Sequence, residues 1–157
     1  VYVVDVIKEM LITKKVDHNC ILLTLFPTVL FRNVKQLLKA FQLFESKGRN
    51  NSIVSVRKFD YPPEVGFYMN ESGKLSSAFP EKYSQTTKHD AFRPIYRLSY
   101  NFLIHSVKML LKQNNLIGNS PIGIECSFLE SIDIDEKYQL KLVEKAYNDG
   151  WTIQDFS

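Results

Sequence analysis

Cysteine is nearly absent: only Cys20 and Cys126 occur, far apart. That excludes a zinc motif, which needs closely spaced pairs, and Cys20 in its apolar run reads as a reduced, buried thiol. No stretch approaches the ~20 apolar residues a membrane span needs, and the N-terminus lacks the basic, apolar and small-residue layout of a signal peptide. A soluble, cytoplasmic protein with no membrane partner is therefore expected. Charge of one sign is lacking as well, with 20 basic residues against 17 acidic ones. The Lys and Arg residues are spread along the chain, so the stripe that reads nucleic acid is missing and no nucleic-acid partner is expected. There is no internal repeat and no linker. The chain also opens on Val1-Tyr2-Val3-Val4 without an initiating Met, directly inside a helical pattern, which fits the later part of a longer protein.

What is present is globular: 45% hydrophobic, 24% charged and 13% aromatic residues over 157 positions are enough for one domain with a real core and no staples. The segment Tyr2 to Lys15 places Val3, Val6, Ile7, Met10 and Leu11 at helical spacing and ends in Lys14-Lys15. The unbroken run Cys20-Ile21-Leu22-Leu23 reads as a strand buried on both faces, stopped by Pro27. Asn33 can cap the next helix, whose apolar face is Val34, Leu37, Leu38, Phe41 and Phe44. Ser52 to Val56 is a second strand. Strand, helix and strand in this order read as a crossover in an open, mostly parallel sheet, so the loops beyond the strands' carboxyl ends, 27–32 and 57–63, should border a site. From Tyr61-Pro62-Pro63 the character changes: Val65 to Met69 and Lys74 to Ala78 read as a hairpin around Asn70-Glu71-Ser72-Gly73, within an excursion over about 61–93. Ile95 to Ile104 returns as a strand, Val107 to Leu111 forms a short helix, and Ile122-Gly123-Ile124 is a short strand. A closing helix carries Leu140, Leu142, Val143, Ala146 and Tyr147.

The most suggestive chemistry lies in Ser131-Ile132-Asp133-Ile134-Asp135-Glu136. In an extended backbone Asp133 and Asp135 share one side while Ile132 and Ile134 take the other. Magnesium accepts one or two carboxylates and completes its shell with water and phosphate, so the pair suits that ion if a nucleotide supplies the rest. The same residues also read as a helix N-terminus, with Asp133 or Asp135 capping and Glu136 at the positive end of the dipole. Ser84, Thr86 and Thr87 have no matched base, which excludes a hydrolase triad.

Four stretches together resemble the cytidylyltransferases that activate acidic nine-carbon sugars, the CMP-sialic acid synthetases and their pseudaminic and legionaminic acid relatives. Leu25 to Arg32 is similar to that family's Leu-Gln-Pro-Thr-Ser-Pro-Leu-Arg loop. Ser55 to Pro63 resembles its Ser-Val strand and Pro-Pro turn, and Tyr96-Arg97-Leu98-Ser99 its Tyr-Arg-Leu-Asn stretch before Gly-Ala. Ser131 to Asp135 with the helix behind it resembles its Asp-Ile-Asp motif. The resemblance implies a Rossmann-like nucleotide-diphospho-sugar transferase fold, here a single N-terminally incomplete domain over 1–157. It implies a transferase that moves CMP from CTP to a sialic-acid-like sugar, a homodimer formed through the excursion, and Mg2+ held by the catalytic pair Asp133 and Asp135. The substrate contacts it implies are Thr28, Arg32, Gln85, Tyr96 and Ser99. On their own residue chemistry Arg32 is equally a solvated helix-entry side chain and Tyr96 a packed strand aromatic. The sequence departs from the family in lacking its glycine-rich triphosphate loop, in Phe26 for Gln, and in Ser99-Tyr100-Asn101 for Asn-Gly-Ala. A noncatalytic relative that dimerises or binds a sugar is the rival expectation.

Overall fold

The computed structural model describes residues 2–80 and 93–153. Within them the chain divides into two compact units, one made of 1–57 with 98–157 and the other of 58–97. Helix α1 (Val3–Thr13) precedes strand β1 (Ile21–Thr24), helix α2 (Val34–Ser46) and strand β2 (Ile53–Lys58). A hairpin of β3 (Phe67–Met69) and β4 (Leu75–Ser77) follows, then β5 (Tyr96–Ser106), α3 (Val107–Gln113), β6 (Ile122–Glu125) and α4 (Lys137–Asn148).

The larger unit is mixed α/β around a four-stranded sheet in the order β1-β5-β2-β6. β1 and β5 pair antiparallel, with Leu23 opposite Ile104, and β2 and β6 pair parallel, with Ser55 opposite Ile124. Ser55 bonds Phe102 while Phe59 bonds Ile95, so β5 and β2 progress in opposite senses. The expectation of a mostly parallel sheet is thereby corrected: parallel pairing is confined to β2–β6. The reason lies in the connection. Among the described residues it carries a hairpin and no α-helix to bring it back across the sheet as a parallel crossover, and the chain runs back alongside β2. β1, β2 and β6 nevertheless point the same way, because β5 opposes both β1 and β2.

Alternation along β5 separates two cores. Phe102 and Ile104 face α2 and join Ala40, Phe44, Ile53 and Cys126 in one buried cluster. On the other side Leu22 meets the cluster of Leu11, Val107 and Leu110 that joins α1 to α3. Removing one fully buried side chain such as Phe44 from water contributes about 1.5–3 kcal/mol. α2 is capped as its sequence requires, the Asn33 side chain accepting from the Gln36 N–H at 3.2 Å. Its buried stripe, however, is Ala40 and Phe44 flanked by Leu37, Phe41 and Leu43, and Val34 and Leu38 are exposed. α1 differs in the same way, burying Leu11 with Val4 and Ile7 while Val3, Val6 and Met10 face solvent. Cys20 is exposed rather than buried, because it stands in the turn before β1 and its carbonyl receives the Val107 N–H.

The smaller unit holds the expected hairpin, with Tyr68 opposite Ser76. Asn70 makes its turn by accepting from the Ser72 and Lys74 N–H groups, and Gly73 follows at φ +79°, a backbone region that a Cβ disfavours. Phe67, Tyr68, Met69 and Leu75 are all exposed on it. No helix among the described residues is long and apolar enough to cross a membrane.

Candidate functional site

The loop leaving β1 and the acidic run are bonded to each other. The Ile134 N–H donates to the Thr28 carbonyl at 3.1 Å, which brings the proline loop and the Asp133–Asp135 segment to the same end of the sheet. Two further residues brace this junction. The Arg32 guanidinium donates to the Asn101 carbonyl at 3.3 Å and to the Phe26 carbonyl. The Asn101 amide donates in turn to the carbonyls of Phe31, at 2.7 Å, and Glu130, at 2.8 Å. Asn101 is buried on β5, so one side chain ties the loop, the sheet and the turn before the acidic run into a single unit.

In that run the alternation expected of an extended backbone holds. Ile132 and Ile134 join Leu129, Val143 and Ala146 in the core beneath α4, whereas Asp133 is half-buried and Asp135 exposed. Neither aspartate caps α4. Glu136 occupies that position, and the Gln139 side-chain oxygen accepts from the backbone N–H groups of Asp135 at 2.8 Å and Glu136 at 2.6 Å. Asp133 Oδ1 is buried and has no hydrogen-bond partner among the described residues. A carboxylate oxygen so placed is short of a cation or donor. One such oxygen and a neighbouring exposed carboxylate fit an ion that takes few protein ligands, which is the donor set magnesium accepts. Among the described residues no three His, Cys, Asp or Glu side chains gather as a metal cluster, so further ligands would have to come from water and substrate.

The other expected contacts are distributed unequally. Thr28 is exposed beside the acidic run, its carbonyl engaged by Ile134. Arg32 is partly buried, and desolvation lowers its pKa from the ordinary arginine value. Its two bonds to backbone carbonyls make it a brace for the loop. Ser99 is fully buried, its hydroxyl beside the Cys126 thiol, which burial pushes up to about 12. Tyr96 is exposed and belongs to the smaller unit. Gln85 lies outside the described residues.

Three features escape the sequence patterns. A cavity of 450 Å³ opens near the amino end of β1, and an apolar groove of 580 Å³ runs between Leu30, Phe31 and Arg32 on the loop and Leu140, Val143 and Tyr147 on α4. The third joins two departures from the resembled family. The Phe26 and Tyr100 rings meet edge to face, centroids 5.2 Å apart at 63°. Tyr100 holds φ at +55°, the left-handed region, in the place where the family's pattern has glycine. No model of a known protein family matches the chain, and no curated protein matches it.

Proposed function

We propose that this chain is part of a cytidylyltransferase that transfers CMP from CTP to a sialic-acid-like nonulosonic acid, on a nucleotide-diphospho-sugar transferase fold. The observation that carries the proposal is the bond between Ile134 and Thr28, which joins the two stretches whose sequences most resemble that family. The unpartnered buried oxygen of Asp133 supports it, as does the left-handed backbone at Tyr100, where the resemblance calls for glycine.

In the reaction a sugar hydroxyl gives up its proton to solvent as its oxygen bonds to the α-phosphorus of CTP, while the bond from that phosphorus to the bridging oxygen breaks and pyrophosphate leaves. Asp133 and Asp135 would hold Mg2+, which when bound neutralises phosphate charge and aligns the leaving group. Arg32 and Asn101 keep the loop fixed against the acidic run, so that Thr28 stays beside the segment that carries the carboxylates. The triphosphate also needs converging N–H groups and fixed cations, and the glycine-rich loop that supplies them in the family is not among these 157 residues. The hairpin's exposed Phe67, Tyr68, Met69 and Leu75 support a homodimer.

The test is calorimetric titration of CTP with magnesium into the complete gene product and into its Asp133→Asn, Asp135→Asn variant. The expected result is a loss of at least about tenfold in magnesium-dependent affinity, that is about 1.4 kcal/mol or more. Equal affinity in both proteins would remove the metal assignment. One observation favours a second reading, a noncatalytic relative: Phe26 and Tyr100 fill with apolar rings the places where the family has a polar side chain and bare backbone. Under that reading the complete protein dimerises but forms no CMP-sugar from CTP.

A further inference from the structure

The 450 Å³ cavity lies near the amino end of β1, where α3 begins, whereas the candidate site follows the carboxyl end of that strand. Its walls are the turn before β1, the turn after α2 and one face of α3. The charged side chains lining it are all basic, Arg49, Lys108 and Lys112, with His18 beside them and no carboxylate among the lining residues. The two acidic groups near these in the chain are engaged with lining residues themselves. Glu45 pairs with Arg49 at 2.8 Å, and Asp17 accepts from the Asn19 N–H at 2.8 Å.

Arg49 is spent in this way. Its Nε and one terminal nitrogen reach Glu45, and the other terminal nitrogen donates to the Asn19 carbonyl at 3.1 Å. The two lysines are different. Neither ammonium has a hydrogen bond or ion pair among the described residues, and the positions are one helical turn apart, so both side chains stand on the same face of α3. Two like charges at that spacing cost a few tenths of a kcal/mol unless an anion sits between them. A concave wall of one sign concentrates anions from solution. The volume is within the range of small-molecule sites and far exceeds one phosphate, and Met109 supplies an apolar wall beside the lysines.

We infer that this cavity binds a phosphorylated small molecule, its phosphoryl groups between Lys108 and Lys112 and its organic part against Met109 and the side-chain amides of Asn19 and Gln113. The site is independent of the proposed transferase reaction and needs no magnesium.

The test is calorimetric titration of inorganic pyrophosphate, without divalent cations, into the 157-residue protein and two double variants. Lys108→Ala, Lys112→Ala removes the wall. Lys35→Ala, Lys39→Ala removes the same charge, at the same spacing, from the exposed face of α2. All four lysines are exposed, so both variants keep the core. The expected result is at least about tenfold weaker pyrophosphate binding in the first variant and less than about threefold change in the second. A nucleoside monophosphate is expected to bind more tightly than free phosphate, since only it fills the apolar part. Similar losses in both variants would reduce the effect to net charge and overturn the site, as would no detectable binding to the parent protein. Retained pyrophosphate binding in the Asp133→Asn, Asp135→Asn variant is expected, and loss there would transfer the binding to the other end of the sheet.

Discussion

Replacing His105 with leucine isolates the effect of burying an imidazole that has no hydrogen-bond partner. His105 is fully buried on β5 opposite Leu22, and neither ring nitrogen is bonded among the described residues. Desolvation lowers its pKa from 6.5 to about 4. Below pH 6.5 the unfolded chain therefore takes up a proton that the folded chain refuses. Stability is fully present above that pH, declines as pH falls, and stops declining below about pH 4, where both states are protonated. A gap of about 2.5 pH units at about 1.4 kcal/mol each makes the whole effect about 3 kcal/mol. His105→Leu should abolish it, and at neutral pH should leave the protein as stable or more stable by about 1 kcal/mol, because two unpaired polar atoms leave the core. Urea unfolding followed by the fluorescence of Trp151, the one tryptophan, measures both proteins from about pH 4 to about pH 8. Every other titrating group is common to the two, so the difference between their curves belongs to position 105. Parallel curves with no pH-dependent difference would refute the account of the buried imidazole.

Asn101→Leu keeps the volume but leaves the carbonyls of Phe31 and Glu130 without their donor, and should cost about 2–4 kcal/mol in the same unfolding assay. A loss below about 0.5 kcal/mol would show that the loop is held in other ways. Tyr68→Lys with Met69→Lys places one charge on each exposed face of the hairpin and should convert a dimer to monomer in sedimentation velocity. An unchanged dimer would put the interface elsewhere.

Features set by near neighbours were legible in the sequence. Asn33 caps α2, and Asn70 and Gly73 make the hairpin turn, because each acts on backbone within a few residues. The direction of β5 was not, since strand pairing depends on where the chain re-enters the sheet and leaves no mark in β5 itself. Apolar spacing also overstated two helical faces. Val34 and Leu38 fit the period of α2 but lie beyond the stripe the sheet covers, and Cys20 continues an apolar run one residue past the strand it adjoins. At the site, the alternation of Ile132 and Ile134 with Asp133 and Asp135 followed from period two. The contact that joins the acidic run to the proline loop did not, because it uses the backbone of Ile134 and Thr28 and no side chain encodes it. Asn101 was visible as an amide beside the apolar run Phe102-Leu103-Ile104, a placement that demands partners without naming them.

Phe26 and Tyr100 bear on both functional readings because each, taken alone, is a loss. A non-glycine residue at φ +55° costs about 1–2 kcal/mol relative to glycine. The edge-to-face contact returns about 0.5–1.5 kcal/mol beyond the area it covers, so the two effects nearly cancel. The backbone at position 100 thus holds a conformation suited to glycine although the residue is tyrosine, which is the behaviour of a loop geometry fixed by its surroundings. Those surroundings are the Asn101 bonds one residue further on. What differs from the resembled family is the chemistry presented beside that geometry, an aromatic edge in place of an amide and open backbone. The pair therefore bears on what the loop presents more than on whether the loop is formed. Replacing Tyr100 with glycine alone would measure strain against a lost ring contact, so only the joint change of positions 26 and 100 tests what the loop presents.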